Sequence, residues 1–113
     1  MSRISTHVLD IALGKPATDV PVRLERRDAS GWHELATACT DQDGRCPQLL
    51  PENEALVPGT YRLNFDTASY FSARKVEGLY PFVEITFIVR DKEQSFHIPL
   101  LLSPNGYSTY RGS

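Results

Sequence analysis

The chain has 113 residues, 41% of them hydrophobic and 23% charged, with a formal net charge of −2. That composition fits one folded domain spanning 1–113 and excludes a disordered chain. The near-neutral balance gives no general attraction to nucleic acid. No apolar stretch reaches the ~20 residues that a membrane helix needs. The opening Met1-Ser2-Arg3-Ile4-Ser5-Thr6-His7 lacks the apolar core of a secretory signal, and the closing residues are no Ser-Lys-Leu address. A cytoplasmic protein without membrane or nucleic-acid partners is expected.

Alternation with period two dominates, which favours strands. In the first segment Ser5, His7, Leu9 and Ile11 share one face, opposite Thr6, Val8 and Asp10. Ile4 and Val8 leave open which face is the core. After the turn Gly14-Lys15-Pro16, Val20, Val22 and Leu24 alternate with Pro21, Arg23 and Glu25. Arg23, Arg26 and Arg27 are interleaved with Glu25 and Asp28 and read as a solvated face. A turn at Ala29-Ser30-Gly31 follows.

Cys39 and Cys46 flank a second turn, Asp41-Gln42-Asp43-Gly44. A reducing compartment favours free thiols there. The aspartates with Gly44 resemble part of a calcium loop, but the further carboxylates are missing and calcium is rejected. Arg45 stands just beyond this turn, where a surface arginine is the plain reading. Val57-Pro58-Gly59 then leads into Tyr61, Leu63 and Phe65, alternating with polar residues.

Residues 66–75 break the period. Asp66 and Thr67 are capping types, Ala68 and Ala73 favour helix, and Arg74 and Lys75 suit the negative end of the dipole. One short helix is expected in an otherwise β protein. Val83, Ile85, Phe87 and Val89 form the next alternating run. Many short strands with Gly/Pro turns between them indicate a two-sheet antiparallel sandwich.

The segment from Phe96 to Ser103 carries Phe96, Ile98, Leu100 and Leu102 on one face, suited to the core. His97, Pro99, Leu101 and Ser103 occupy the other, which in an isolated sandwich faces water. Two strands thus place an imidazole beside aliphatic residues on an outward face. Each histidine alone reads more readily as a half-buried structural residue. Together they suggest a face covered by another subunit. His7, His33 and His97 make no short-range metal signature, and no third ligand accompanies a distant pair. No nucleophile elbow, phosphate loop or dinucleotide fingerprint occurs. After Pro104-Asn105-Gly106 the chain closes on Tyr110-Arg111-Gly112-Ser113, so Ser113 and its carboxylate are expected close to the folded body.

Three blocks carry a resemblance over nearly the whole chain: Ser5-Thr6-His7-Val8-Leu9-Asp10 with Gly14-Lys15-Pro16-Ala17; Asp43-Gly44-Arg45-Cys46; and Phe96-His97-Ile98-Pro99-Leu100-Leu101-Leu102-Ser103-Pro104 through Tyr110-Arg111-Gly112-Ser113. With them the sequence resembles the 5-hydroxyisourate hydrolases, enzymatic relatives of transthyretin, which lacks the closing tetrapeptide. One departure is Ser95, where many members carry a further histidine; that position is read as peripheral.

The resemblance implies an all-β, transthyretin-like two-sheet sandwich with one short helix, assembled as a homotetramer with its sites between dimers. It implies hydrolysis of 5-hydroxyisourate to 2-oxo-4-hydroxy-4-carboxy-5-ureidoimidazoline in urate breakdown, with no cofactor and no metal. His7, His97 and Ser113 match the family's catalytic positions. Arg45, Tyr110 and Arg111 are matched to substrate binding, the last two also closing the site and positioning the serine. A transthyretin-like carrier without turnover is the main alternative. A sandwich interaction module is the second. A carrier calls for apolar walls, and a module for sites on end loops rather than strand faces.

Overall fold

A computed structural model of the chain describes residues 3–91 and 94–113. Among these residues nine strands and one helix follow in order: β1 Arg3–Asp10, β2 Lys15–Pro16, β3 Pro21–Asp28, β4 Gly31–Cys39, β5 Arg45–Cys46, β6 Gly59–Phe65, α1 Thr67–Ala73, β7 Val83–Val89, β8 Ser95–Ser103 and β9 Gly106–Thr109. They form two sheets. One runs β2-β1-β8-β9 with β5 also paired to β1, and the other runs β4-β3-β6-β7. The all-β sandwich with one short helix is therefore the observed fold. Among the described residues no helix is long and apolar enough to cross a membrane.

One pairing departs from an all-antiparallel sandwich. β1 and β8 run parallel, with Ser5 opposite His97 and His7 opposite Pro99. Strands this far apart in sequence pair in either direction, because no tight hairpin dictates their polarity. The hairpins joining β3 to β4 and β8 to β9 are antiparallel, as their Gly-containing turns require.

The core lies between the sheets. Ile4, Val8, Phe96, Ile98, Leu100 and Leu102 enter from one side, and Val22, Leu24, Tyr61, Leu63, Phe65, Val83 and Val89 from the other. Burying one such side chain contributes about 1.5–3 kcal/mol, so sandwich formation does not depend on the outward residues. The open parity of β1 is now settled: Ile4, Thr6, Val8 and Asp10 are buried, and Ser5, His7 and Leu9 face out half-buried. Thr6 is tolerated inside because its hydroxyl donates to the Ile98 carbonyl at 2.6 Å.

The helix is shorter than its pattern. Asp66 is the N-cap, accepting from the Ser69 N–H at 3.0 Å. Helical structure ends at Ala73, so neither Arg74 nor Lys75 lies in the last turn. Lys75 takes a left-handed φ of 59°, which stops the helix. Arg74 instead stands 5.6 Å from the ring centre of Tyr70.

Candidate active site

The turn before β5 is built by its own polar groups. One carboxylate oxygen of Asp41 accepts from the N–H groups of Asp43 and Arg45, both at 2.9 Å. That local role accounts for an aspartate in this sequence. Gly44 has φ 74°, and a Cβ there would strike the Val8 carbonyl oxygen. Only glycine lets the turn approach β1 so closely. The Val8 N–H donates to the Gly44 carbonyl at 2.7 Å. β5 then pairs with β1 and sets Arg45 directly opposite His7.

His97 is positioned from three sides. Its strand pairs with β1, and its Nδ1 lies 2.9 Å from the Ser5 hydroxyl oxygen. On its other flank the chain returns after β9, and Gly112 forms an isolated bridge to it, donating its N–H to the His97 carbonyl at 2.8 Å. A side chain at Gly112 would overlap His97 Cδ2. Glycine therefore allows Ser113 to lie beside the ring.

These groups enclose a cleft of about 390 Å³ lined by Arg45, His97, Gly112 and Ser113 together with Arg3, Ser5 and Ser95. His7 lies on the same outward face one pair further along. Burial holds the His97 pKa below the ordinary imidazole value, and the nearby Arg45 and His7 lower it further. Its neutral form is thereby favoured at pH 7, with a lone pair available for protons.

Tyr110 and Arg111 are placed differently from His97 and Ser113. They line a separate cleft of about 270 Å³ with Ile85, Phe87 and Ile98. The Arg111 guanidinium lies 4.5 Å over the Phe96 ring, and one of its N–H groups donates weakly to Gln94. Neither Tyr110 nor Arg111 is among the residues that line the imidazole cleft. Ser95, read as peripheral, belongs to the cleft wall.

Arg3, Ser5 and Ser95 were missed as site residues from sequence. Ser5 carried a signal, a hydroxyl on the same outward face as His7. Its pairing with His97 depends on a parallel register that no local pattern reveals. A larger depression of about 650 Å³ lies outside the second sheet, between Arg23, Glu34 and Glu84. It contains no imidazole and none of the expected residues. His33 is remote from the cleft in its strand pairing, paired with Asp28 at 2.8 Å beside the β3–β4 hairpin. The Cys46 thiol is buried and pushed up to about 11, mainly by burial, while Cys39 is exposed; both are free. Among the described residues no group of three or more His, Cys, Asp or Glu is arranged to hold a metal.

The profile of the HIUase/Transthyretin family matches residues 4–112. The 5-hydroxyisourate hydrolase of Mus musculus is 50% identical over 114 residues, covering 99% of this chain and 96% of the mouse protein. That of Salmonella typhi is 46% identical, covering 97% of this chain and 80% of its own length. Among solved structures, Klebsiella pneumoniae 5-hydroxyisourate hydrolase superposes with a TM-score of 0.87 at 37% identity, each chain covered in full. Transthyretin from Sparus aurata superposes with a TM-score of 0.91 at 28% identity, over 99% of this chain and 97% of its own. Fold, length and sequence agree, and the chain belongs to the HIUase/Transthyretin family.

Proposed function

We propose that this protein is a hydrolase that opens 5-hydroxyisourate to 2-oxo-4-hydroxy-4-carboxy-5-ureidoimidazoline. The observation that carries the reading is one cleft in which His97, Arg45 and Ser113 meet, with His7 beside Arg45. Relatives named 5-hydroxyisourate hydrolase at 46–50% identity support it.

The substrate is a flat, polar, nitrogen-rich bicycle with an acyl carbon open to water. The reaction needs a base for the water, donors for the developing oxyanion, and groups that hold the rings. His7 and His97 share the proton transfers, one deprotonating water and the other protonating the leaving nitrogen. Arg45 clamps the carbonyls, since its planar fork matches paired acceptors. Ser113 hydrogen-bonds the water or the substrate. Tyr110 and Arg111 close the site and position the serine, Arg111 anchoring against Phe96 the segment that carries Gly112 and Ser113. No cofactor or metal enters these steps.

The outward face of β1 and β8 is half-buried and partly apolar, with Leu9 and Leu101 beside the imidazoles. A homotetramer, formed from the single 1–113 domain in the cytoplasm, covers that face and closes the cleft. The competing reading is a carrier, as in the sea bream transthyretin solved with thyroxine. The walls argue against it, since an apolar ligand gains nothing from two guanidiniums and an imidazole.

The test is ultraviolet. Urate and its oxidase generate the transient intermediate, and its loss is followed with and without this protein. His97→Ala and deletion of Ser113 each slow that loss by about 10²-fold or more, the scale of general acid–base catalysis. Near-normal turnover in both variants overturns the site, and no acceleration by the wild type overturns the hydrolase. Light scattering reports the oligomer.

A further inference from the structure

We propose that Ser5 is a positioning residue that accepts the Nδ1–H of His97 and thereby makes Nε2 the base that deprotonates the attacking water. The inference rests on the hydrolase reading and deepens it, since no role in the reaction has so far been given to Ser5.

The geometry begins with register. In the parallel pairing of β1 with β8, Ser5 and His97 are Cα partners and both side chains face outward. The Ser5 hydroxyl oxygen stands 2.9 Å from His97 Nδ1. A hydroxyl can donate to a bare Nδ1 or accept from Nδ1–H, and the choice fixes the opposite nitrogen. Accepting leaves the lone pair on Nε2, whereas donating leaves a proton there. Nε2 adjoins Cδ2, the carbon packed against Gly112. With Nδ1 met by Ser5, Nε2 is the ring nitrogen left for the cleft that His97 and Ser113 both line, and a base is useful only if that nitrogen carries the lone pair.

The remaining surroundings agree. Among the described residues, the charged or titratable groups facing His97 are Arg3 and His7 of β1, Arg45 of β5 and the α-carboxylate of Ser113, while Arg111 on the returning segment is turned over Phe96. No Asp or Glu side chain lines the cleft to orient the imidazole, and it is the Ser5 hydroxyl that meets Nδ1. The Ser5 hydroxyl fills the position where other enzymes place an acid, and holds the tautomer at less cost to neutrality.

The step balances. A water O–H bond breaks and its proton passes to His97 Nε2 while the O–C bond forms at the acyl carbon. The C–N bond then breaks, and the nitrogen takes a proton from His7. Both imidazoles return to their starting states by exchange with solvent. As His97 becomes imidazolium, its bond to Ser5 becomes charge-assisted and strengthens.

Four variants and two readouts test this. Nitrogen-15 spectra of histidine-labelled protein, with His97 assigned by His97→Gln, show Nδ1–H and a bare Nε2 in the wild type at neutral pH. Ser5→Ala lets the Nε2–H form appear and lowers kcat by about 10- to 100-fold, the range for partners that orient a functional imidazole. KM stays nearly constant, and the acid limb of kcat/KM moves to lower pH because the imidazolium has lost an acceptor. Ser5→Thr behaves as wild type, and Ser5→Val, the same shape without the hydroxyl, behaves as Ser5→Ala.

A wild type in the Nε2–H form overturns the assignment. So does an acid limb that moves to higher pH in Ser5→Ala, since that is the signature of a lost donor. Equal behaviour of the Thr and Val variants overturns it too. The spectra do not depend on turnover, so an inactive wild type would sink the hydrolase reading while the tautomer still judged Ser5.

Discussion

Gly112 lies against the imidazole of His97 so closely that a Cβ would overlap Cδ2, while its N–H donates to the His97 carbonyl at 2.8 Å. The contact ties residues more than a dozen positions apart into one corner and brings Ser113 over the cleft.

Gly112→Ala therefore displaces either the ring or the segment ending at Ser113. Hydroxyisourate turnover falls about tenfold or more, within the acid–base scale. The melting temperature changes little, because the segment is held at the edge of the fold by one isolated bridge and the Arg111 contact with Phe96, and the core is elsewhere. Parallel activity and thermal-melt measurements check it; a large melting loss with proportionate activity loss would point to a purely structural glycine.

Arg45 and His97 are coupled through charge. The guanidinium disfavours the imidazolium, so Arg45→Ala raises the His97 pKa toward its ordinary value. The base must be neutral, so the acid limb of kcat/KM moves to higher pH. KM rises as well, since the carbonyl clamp is lost. A pH–rate profile that stays in place would separate Arg45 from His97.

The depressed His97 pKa also acts on stability. Its folded value lies below the unfolded value near 6.5, so the unfolded chain takes up the proton first as pH falls. The contribution is fully present above about pH 6.5 and fades below it, as pH falls through the folded value. Denaturant melts from pH 7.5 to 5 show a smaller decline in His97→Gln than in the wild type.

Asp41 builds the turn that delivers Arg45. Asp41→Ala removes the acceptor of two backbone N–H groups, at a cost of about 1 kcal/mol on this exposed turn. The larger effect is on KM, because the loosened turn no longer holds Arg45 beside His7. Equal KM in the two proteins would show that Gly44 and the β1 pairing suffice.

Tyr70 fastens the helix to the end of β1. Its hydroxyl donates to a buried Asp10 carboxylate oxygen at 2.7 Å, and burial with that bond pushes the phenol up to about 12. The other Asp10 oxygen accepts from the Ala12 and Leu13 N–H groups. Tyr70→Phe leaves a buried carboxylate oxygen without its partner and destabilises by about 1–3 kcal/mol. Turnover at 25 °C is unchanged, and urea melts give the loss.

Local chemistry in the sequence determined the strands, their turns and the helix start, because alternation, glycine and a capping aspartate act over a few residues. It also marked His7, His97 and the closing tetrapeptide as unusual, whereas Arg45 was singled out only by the family resemblance. Only the tertiary structure decided that β1 and β8 run parallel, that Ser5 stands beside His97, and that Arg111 turns over the Phe96 ring. Those outcomes depend on the register between strands some ninety residues apart and on the side from which the last segment returns. Both are set by how two sheets share one core, which no short stretch of sequence encodes.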